Sequence, residues 1–472
     1  MQRVTTDVAV IGAGTAGLAA YRAAIAGGKR ALLVERGPHG TTCARVGCMP
    51  SKLLIAAAEA AHAPARWAEF GLALDGAVRV DGTAVMARVR RERDRFVGFV
   101  LDGVEAIPAE DRLEGEARFV APGRLLVGGR TEVAFSRAVI ATGSAPAIPA
   151  FLRPLGERLV VNDDVFEWQT LPRAVAVFGP GVIGLELGQA LARLGVRVWM
   201  FSIGGVLGPF SDAAVRDYAA RTFAGEFELD PDARVLGVER TPEGAEVRFA
   251  APDGGEARIA VDYVVAATGR APNVAGLGLE NLGIALDGRG VPIYDPSTMQ
   301  CGADPVFIAG DANADLTLLH EAADEGHIAG ANAARFPAVK PGLRRAPLAV
   351  VFTDPQLAVV GARRAGLAEG RYVVGAVSFE NQGRSRVMLR NRGLLHVYAD
   401  AASGRFLGAE MIGPDAEHLA HLLAWALQMK LTVPQMLEMP FYHPVVEEGL
   451  RTALRDADAR LAARRAPPRL AA

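Results

Sequence analysis

Val8-Ala9-Val10-Ile11-Gly12-Ala13-Gly14-Thr15-Ala16-Gly17 is the stretch on which the fold turns. Four consecutive apolar residues, three of them β-branched, predict a strand buried on both faces. Glycines follow at the spacing Gly12-x-Gly14-x-x-Gly17, and the alanine-rich run Leu18 to Ala26 predicts a helix. The first glycine of such a turn permits a tight reversal and the second lets the backbone approach a pyrophosphate. The third lets helix and strand pack closely, and the helix N-terminus adds partial positive charge. Gly27-Gly28 ends the helix, and the predicted strand Ala31 to Val34 finishes at Glu35, where an acid accepts from a ribose 2'-hydroxyl. A glycine fingerprint alone is weak evidence; strand, helix and acid in the right places make it strong.

The same grammar returns 167 residues later. Ala174 to Phe178 leads into Gly179-x-Gly181-x-x-Gly184, a helix is predicted through Arg193, and Val196 to Phe201 reads as the next strand. That period is too long for a solenoid repeat and suits two nucleotide-binding domains. The second copy ends on Ser202 instead of an acid, and no Lys or Arg occurs from Ile203 to Phe210 to grip a 2'-phosphate. The lack of a cation favours NAD over NADP.

Outward from these turns, a long arginine-studded helix is predicted over 84–101, short strands over 111–140, and a strand Val306 to Ala309 ending at Gly310-Asp311. Proline clusters near 145–155 and 337–347 mark boundaries. Residues 348–456 alternate strands and helices as an α+β domain does. The predicted architecture is α/β: two Rossmann-like dinucleotide-binding domains and a C-terminal α+β dimerisation domain.

Composition narrows the function. The 51 basic and 53 acidic residues balance to a net charge of -2, which argues against nucleic acid as a partner. Three cysteines in 472 residues are too few for a secreted disulfide scaffold. No apolar run reaches the ~20 residues a bilayer requires, and the N-terminus enters a strand with no basic leader. A soluble cytoplasmic protein is expected.

Cys43 and Cys48 lie in Thr42-Cys43-Ala44-Arg45-Val46-Gly47-Cys48-Met49-Pro50-Ser51-Lys52. In a regular helix five positions rise ~7.5 Å, beyond the ~7 Å Cα limit for a bridge; a bonded pair needs irregular backbone, which Gly47 permits. Pro50 suits a first helical turn, placing Cys48 near a helix N-terminus, where thiolate is favoured. Two buried thiols is the plain alternative. No zinc ligand spacing accompanies the pair, so no metal site is expected. Cys301 reads as a core or strand-end residue, and Trp425 and Met429, four apart, read as core. His418 and His421 read as residues of an interface helix.

With these residues in view, the chain resembles the flavin-dependent pyridine nucleotide-disulfide oxidoreductases, most of all dihydrolipoamide dehydrogenases. The resemblance spans nearly the whole chain. It rests on the two glycine fingerprints, Glu35, the pair Cys43 and Cys48 with Lys52, Ala141-Thr142-Gly143-Ser144, Glu186, Thr268-Gly269-Arg270-x-Pro272-Asn273, Ala309-Gly310-Asp311, Thr353-Asp354-Pro355-Gln356 and His443-Pro444-Val445-Val446-Glu447-Glu448, all in the family's order. It implies an FAD-binding domain (1–148), an NAD(P)-binding domain (149–270), a central domain completing the FAD site (271–345) and an interface domain (346–472) whose tail frays from about 458. It further implies a homodimer with an active site shared between subunits. Cys43 would attack substrate, Cys48 would lie against the flavin, and His443, oriented by Glu448, would be the acid/base. An unperturbed imidazole titrates near ~6.5, which suits that work. Lys52 and Glu186 would pair near the flavin, and Asp311 would bond its ribityl or ribose oxygens. The implied reaction is dihydrolipoamide plus NAD+ to lipoamide plus NADH, with a lipoyl-bearing acyltransferase of a 2-oxo acid dehydrogenase complex as partner.

Two departures stand out: Val445 replaces the usual Thr after His-Pro, and Phe441-Tyr442 precede the His. The rivals are another disulfide reductase of the family, a mercuric reductase, disfavoured by the absence of vicinal cysteines in Arg469-Leu470-Ala471-Ala472, and a non-catalytic docking flavoprotein, disfavoured by the full Cys–Cys–His–Glu set.

Overall fold

Both glycine turns fold as their patterns predict. The computed structural model describes residues 1–251 and 254–465. It divides into two compact units, the first from 1–50, 89–147 and 269–344, the second from 51–88, 148–268 and the remainder.

In the first unit, strand Gln2–Ile11 pairs in parallel with Ala31–Glu35 on one side and Thr131–Ile140 on the other. Arg112–Glu114 extends the sheet beyond Ala31–Glu35, and Val306–Ile308 pairs in parallel with the end of Thr131–Ile140. Val8, Ala9 and Val10 are fully buried. Helix Thr15–Ala26 follows the first strand, and its glycines are dictated by contact. Gly12 has φ +107°, and a Cβ there would lie 2.2 Å from the Ala141 carbonyl oxygen; one on Gly17 would lie 1.7 Å from the Gly12 oxygen. Helix Leu319–Arg335 crosses Thr15–Ala26 at backbone distance: Cβ atoms on Gly326 and Gly330 would each sit 2.1 Å from the carbonyl oxygens of Ala16 and Ala20.

The second unit holds a five-stranded parallel sheet in the order Glu228–Asp230, Arg197–Phe201, Ala174–Phe178, Tyr263–Ala266, Leu159–Val160. Helix Val182–Arg193 follows the second glycine turn, where the contacts recur: a Cβ on Gly179 would meet the Ala267 oxygen at 2.5 Å, and one on Gly184 the Gly179 oxygen at 2.0 Å. The same unit holds a five-stranded antiparallel sheet, Leu348–Val351, Gln356–Gly361, Phe406–Gly413, Leu394–Asp400 and Tyr372–Ser378. Leu419 and Leu423 of helix Ala416–Gln428 and Leu450 and Leu454 of helix Glu447–Arg465 share its core.

A polar cluster is buried within this unit. Asp212, fully buried, caps helix Ala213–Ala224 through the Ala214 amide (2.9 Å). Its Oδ2 lies 2.8 Å from His396 Nδ1 and accepts from Arg364 Nη1 (3.0 Å) and the Tyr398 hydroxyl (3.1 Å). Burial alone would raise this carboxyl; the hydrogen bonds and charges of His396 and Arg364 outweigh it and hold Asp212 well below the ordinary range. Glu410, also fully buried, accepts from the amides of Ser211, Asp212 and Arg364 and from the Ser211 hydroxyl.

Two expectations are corrected. The tail does not fray from 458: helix Glu447–Arg465 continues past it because Leu461 buries against the sheet, and residues 466–472 lie outside the described ones. Trp425 and Met429 are not core. The 3.6-residue period turns Leu419, Ala420 and Leu423 inward and leaves Trp425 68% and Met429 71% exposed on the opposite face. The predicted 84–101 helix runs longer, over Gly82–Glu105. Among the described residues no helix is long and apolar enough to cross a membrane.

Candidate functional site

In the first unit the strand ends open onto a cleft of about 290 Å³, lined among others by Gly12, Gly14, Glu35, Thr42, Thr142 and Gly143. Glu35 ties its rim: Oε2 accepts from the Ala13 amide (2.7 Å) and Oε1 from the Gly37 amide (2.9 Å). Thr142 Oγ1 is buried yet has no hydrogen-bond partner among the described residues, and a side chain on Gly14 or Gly143 would meet only open space. An orphan hydroxyl and two bare backbone approaches suit a dinucleotide whose pyrophosphate sits at the N-terminus of Thr15–Ala26. The residues present fit FAD.

A second cavity of about 340 Å³ shares Pro272 and Ala275 with the first. Here Ser144 donates to Asp311 Oδ2 (2.6 Å), and Arg270 donates from Nε to the Ser144 hydroxyl and from Nη2 to its carbonyl (both 2.7 Å). Gly269 precedes Arg270 with φ +107°. The turn bearing Asp311 is held from behind by Glu325, fully buried, which accepts from the Gly310 amide (2.8 Å), Asn313 Nδ2 (2.7 Å) and Arg344 Nη1 (2.8 Å). Burial raises the Glu325 carboxyl by more than Arg344 lowers it. Sequence reading missed Glu325 and Arg344, because an acid inside a helical run looks like any solvated residue.

Cys43 sits in the short helix Thr42–Val46, whose N-cap Thr41 and residues Thr42 and Arg45 line the cleft. Cys48 opens helix Cys48–His62, with Pro50 in its first turn. Between them Gly47 breaks the helix at φ −128°, ψ −111°, and a Cβ there would lie 3.4 Å from Cys43 Cα. The irregular backbone that a bonded pair needs is thus present. Cys43 is partly exposed and Cys48 exposed; Cys301 is buried, and burial pushes its thiol up to about 12.

In the second unit Lys52 Nζ donates to both oxygens of Glu186, at 2.8 and 2.7 Å, and Glu186 is only 4% exposed. The Phe352 amide donates to the same carboxylate (3.0 Å), and its ring lies 4.5 Å beneath the Lys52 ammonium. Phe352 had no signal in the sequence; it acts through its backbone. His443 Nδ1 lies 3.1 Å from each oxygen of Glu448, which also accepts from the Val445 amide (3.3 Å). The His443 hydrogen bond leads the effects that lower the Glu448 carboxyl. The imidazole is 80% exposed, as is Tyr442. Ser202 is buried at the end of Arg197–Phe201, its amide donating to the Asp230 carbonyl (2.9 Å).

Residues 6–326 match the family model for pyridine nucleotide-disulphide oxidoreductases, and 348–454 match that family's dimerisation domain. A mercuric reductase of Shigella flexneri is 32% identical over 94% of this chain and 80% of its own length. Dihydrolipoyl dehydrogenase 3 of Pseudomonas aeruginosa is 31% identical over 96% of this chain and 98% of its own. The solved HOCl-induced flavoprotein disulfide reductase RclA of Escherichia coli, as its Cu(II) complex, superposes with a TM-score of 0.80 at 23% identity, covering 97% of this chain and 99% of that one. The chain belongs to the pyridine nucleotide-disulphide oxidoreductases, and is therefore a flavoprotein that works with FAD and a nicotinamide dinucleotide.

Proposed function

We propose that this enzyme oxidises dihydrolipoamide to lipoamide with NAD+, through a redox-active Cys43–Cys48 pair. The observation that carries the reading is the His443–Glu448 pair, a solvent-facing imidazole with its Nδ1 side fixed by a carboxylate. That arrangement leaves Nε2 to take a proton from a dithiol substrate and return it. The substrate thiolate attacks Cys43 Sγ; the new S–S bond forms as the Cys43–Cys48 bond breaks, and Cys48 leaves as thiolate. The second substrate thiol, its proton held by His443, then displaces Cys43 and closes the disulfide product, so the cysteine pair gains two electrons. The N-terminal end of Cys48–His62 favours the Cys48 thiolate. FAD, when bound, passes that electron pair between the dithiol and the nicotinamide. Gly12, Gly14, Gly17, Glu35, Thr142, Gly143, Ser144 and Asp311, with Gly269 and Arg270 behind them, would hold FAD. Gly179, Gly181 and Gly184 would hold the NAD pyrophosphate, and the Lys52–Glu186 pair would face the nicotinamide.

The dimerisation domain supports a homodimer in which His443 and Glu448 serve the partner's cysteines, and the exposed Trp425 and Met429 suit a covered face. A lipoyl-bearing acyltransferase and a cytoplasmic setting complete the reading. Its test is anaerobic dihydrolipoamide oxidation with NAD+ and NADP+ in separate cuvettes. Rapid NADH formation supports it. No turnover with either coenzyme, while NADH still bleaches the flavin, would assign a different disulfide substrate and direct attention to Val445 and Tyr442.

A further inference from the structure

The two nucleotide folds correspond residue for residue at an offset of 167, and they differ in the source of one carboxylate. In the first fold, Glu35 ends the second strand and its Oε1 binds the amide two residues on, that of Gly37 (2.9 Å). In the second, Ser202 occupies the equivalent place, buried and without a carboxylate to offer. The amide two residues on, that of Gly204, is nonetheless bound by a carboxylate: Asp232 Oδ1, at 2.7 Å. Asp232 arrives from the neighbouring parallel strand, Glu228–Asp230. The two strand-end loops are zipped together by backbone bonds from Ser202 to Asp230 (2.9 Å), Gly205 to Pro231 (3.0 Å) and Ala233 to Ser202 (2.7 Å). The Asp232 amide also donates to Asp230 Oδ1 (3.1 Å), fixing the turn. Asp232 is exposed, and its Oδ2 has no hydrogen-bond partner among the described residues.

We infer that Asp232 selects the coenzyme in the second fold, standing in from the next strand for the acid that Ser202 lacks. The inference rests on the coenzyme reading of that fold and deepens it. At the carboxyl ends of a Rossmann sheet, the strand after the glycine helix carries the group that meets the adenosine ribose. A carboxylate there accepts a hydrogen bond from a 2'-hydroxyl and repels a 2'-phosphate, which carries ≈ −1.5 to −2 charges at neutral pH. Ser202 contributes fold, not selection.

The test uses the FAD-loaded enzyme and two redox-inert probes, 5'-AMP and 2',5'-ADP, titrated calorimetrically. Wild type is expected to bind 5'-AMP about tenfold or more tightly than 2',5'-ADP, tenfold being ~1.4 kcal/mol. Asp232→Asn keeps an oxygen for the Gly204 amide and removes the charge; the ratio should fall to about threefold or less. Ser202→Ala should leave it unchanged. As a measurement needing no variant, raising NaCl from about 0.05 to 0.5 M should shrink the wild-type ratio by screening the repulsion. An unchanged ratio in Asp232→Asn, or a salt-independent one, overturns the role of Asp232 while 5'-AMP binding leaves the coenzyme reading standing. Tighter binding of 2',5'-ADP by wild type, abolished by Arg234→Ala, overturns it in favour of that nearby cation. Failure of wild type to bind either probe overturns both.

Discussion

Asp212→Asn should destabilise the second unit by about 3 kcal/mol. Asparagine can keep one oxygen for the Ala214 amide, but then presents NH2 where Oδ2 now meets Arg364, Tyr398 and His396. Tyr398 is fully buried, so its hydroxyl cannot turn to bulk solvent. Removing one partner of a buried ion pair costs about 3–5 kcal/mol; the lower end applies because the Arg364 side chain is 40% exposed and regains solvent. All four tryptophans, Trp67, Trp168, Trp199 and Trp425, lie in the second unit, and the flavin cleft lies in the first. Urea unfolding followed by tryptophan emission therefore reads the perturbed unit, and flavin emission reads the other. A midpoint shift on the order of 1 M is expected in the tryptophan signal alone. The pH dependence fixes the cause. Asp212 is depressed in the folded state, so its contribution is complete above the unfolded carboxyl pKa near ~3.9 and is lost as pH falls toward the folded value. The wild-type–variant gap should narrow as pH falls below about 4. A loss under about 1 kcal/mol, or a gap unchanged down to about pH 3, would refute the reasoning.

His443→Gln should lower dihydrolipoamide turnover by about 10²–10⁴-fold while NADH–dye reduction survives; equal loss of both would remove the acid/base role. Lys52→Met should cost about 2–3 kcal/mol by stranding the Glu186 carboxylate on the Phe352 amide, and adding Glu186→Gln should recover part of it in a double-mutant cycle. Gly330→Val should release flavin, read as a fall in the visible-to-ultraviolet absorbance ratio after gel filtration, since its side chain would collide with the Ala20 carbonyl. Gly98→Ala, in the helix Gly82–Glu105 with nothing within 4 Å of the new methyl, should instead raise the melting temperature slightly.

The parts of this fold legible in the sequence are those that a local pattern enforces. Gly12 and Gly17 are required by neighbours a few residues away or on the next strand, so their spacing announces the turn. Trp425 misled because four-residue spacing reports a shared helix face without saying which face is inward; Leu419 and Leu423 decide that. Asp232 was invisible because it and Ser202 come together only through strand pairing, thirty residues apart in the chain. Glu325 escaped because an acid within a helical run reads as a solvated residue, and Phe352 because an amide has no residue signature.

The crossing of Thr15–Ala26 with Leu319–Arg335 has a consequence for how the protein is made. The helix that presents the first glycine turn is the earliest in the chain, and the one packed against its backbone at Ala16 and Ala20 is encoded some three hundred residues later. Asp311 and the Glu325 that braces its turn belong to that same late segment. A nascent chain emerging from the ribosome thus holds half a flavin cleft, its apolar helix face bare, until about residue 344 has emerged. A complete flavin cleft therefore exists only late in biosynthesis, once Gly326 and Gly330 have docked against Ala16 and Ala20.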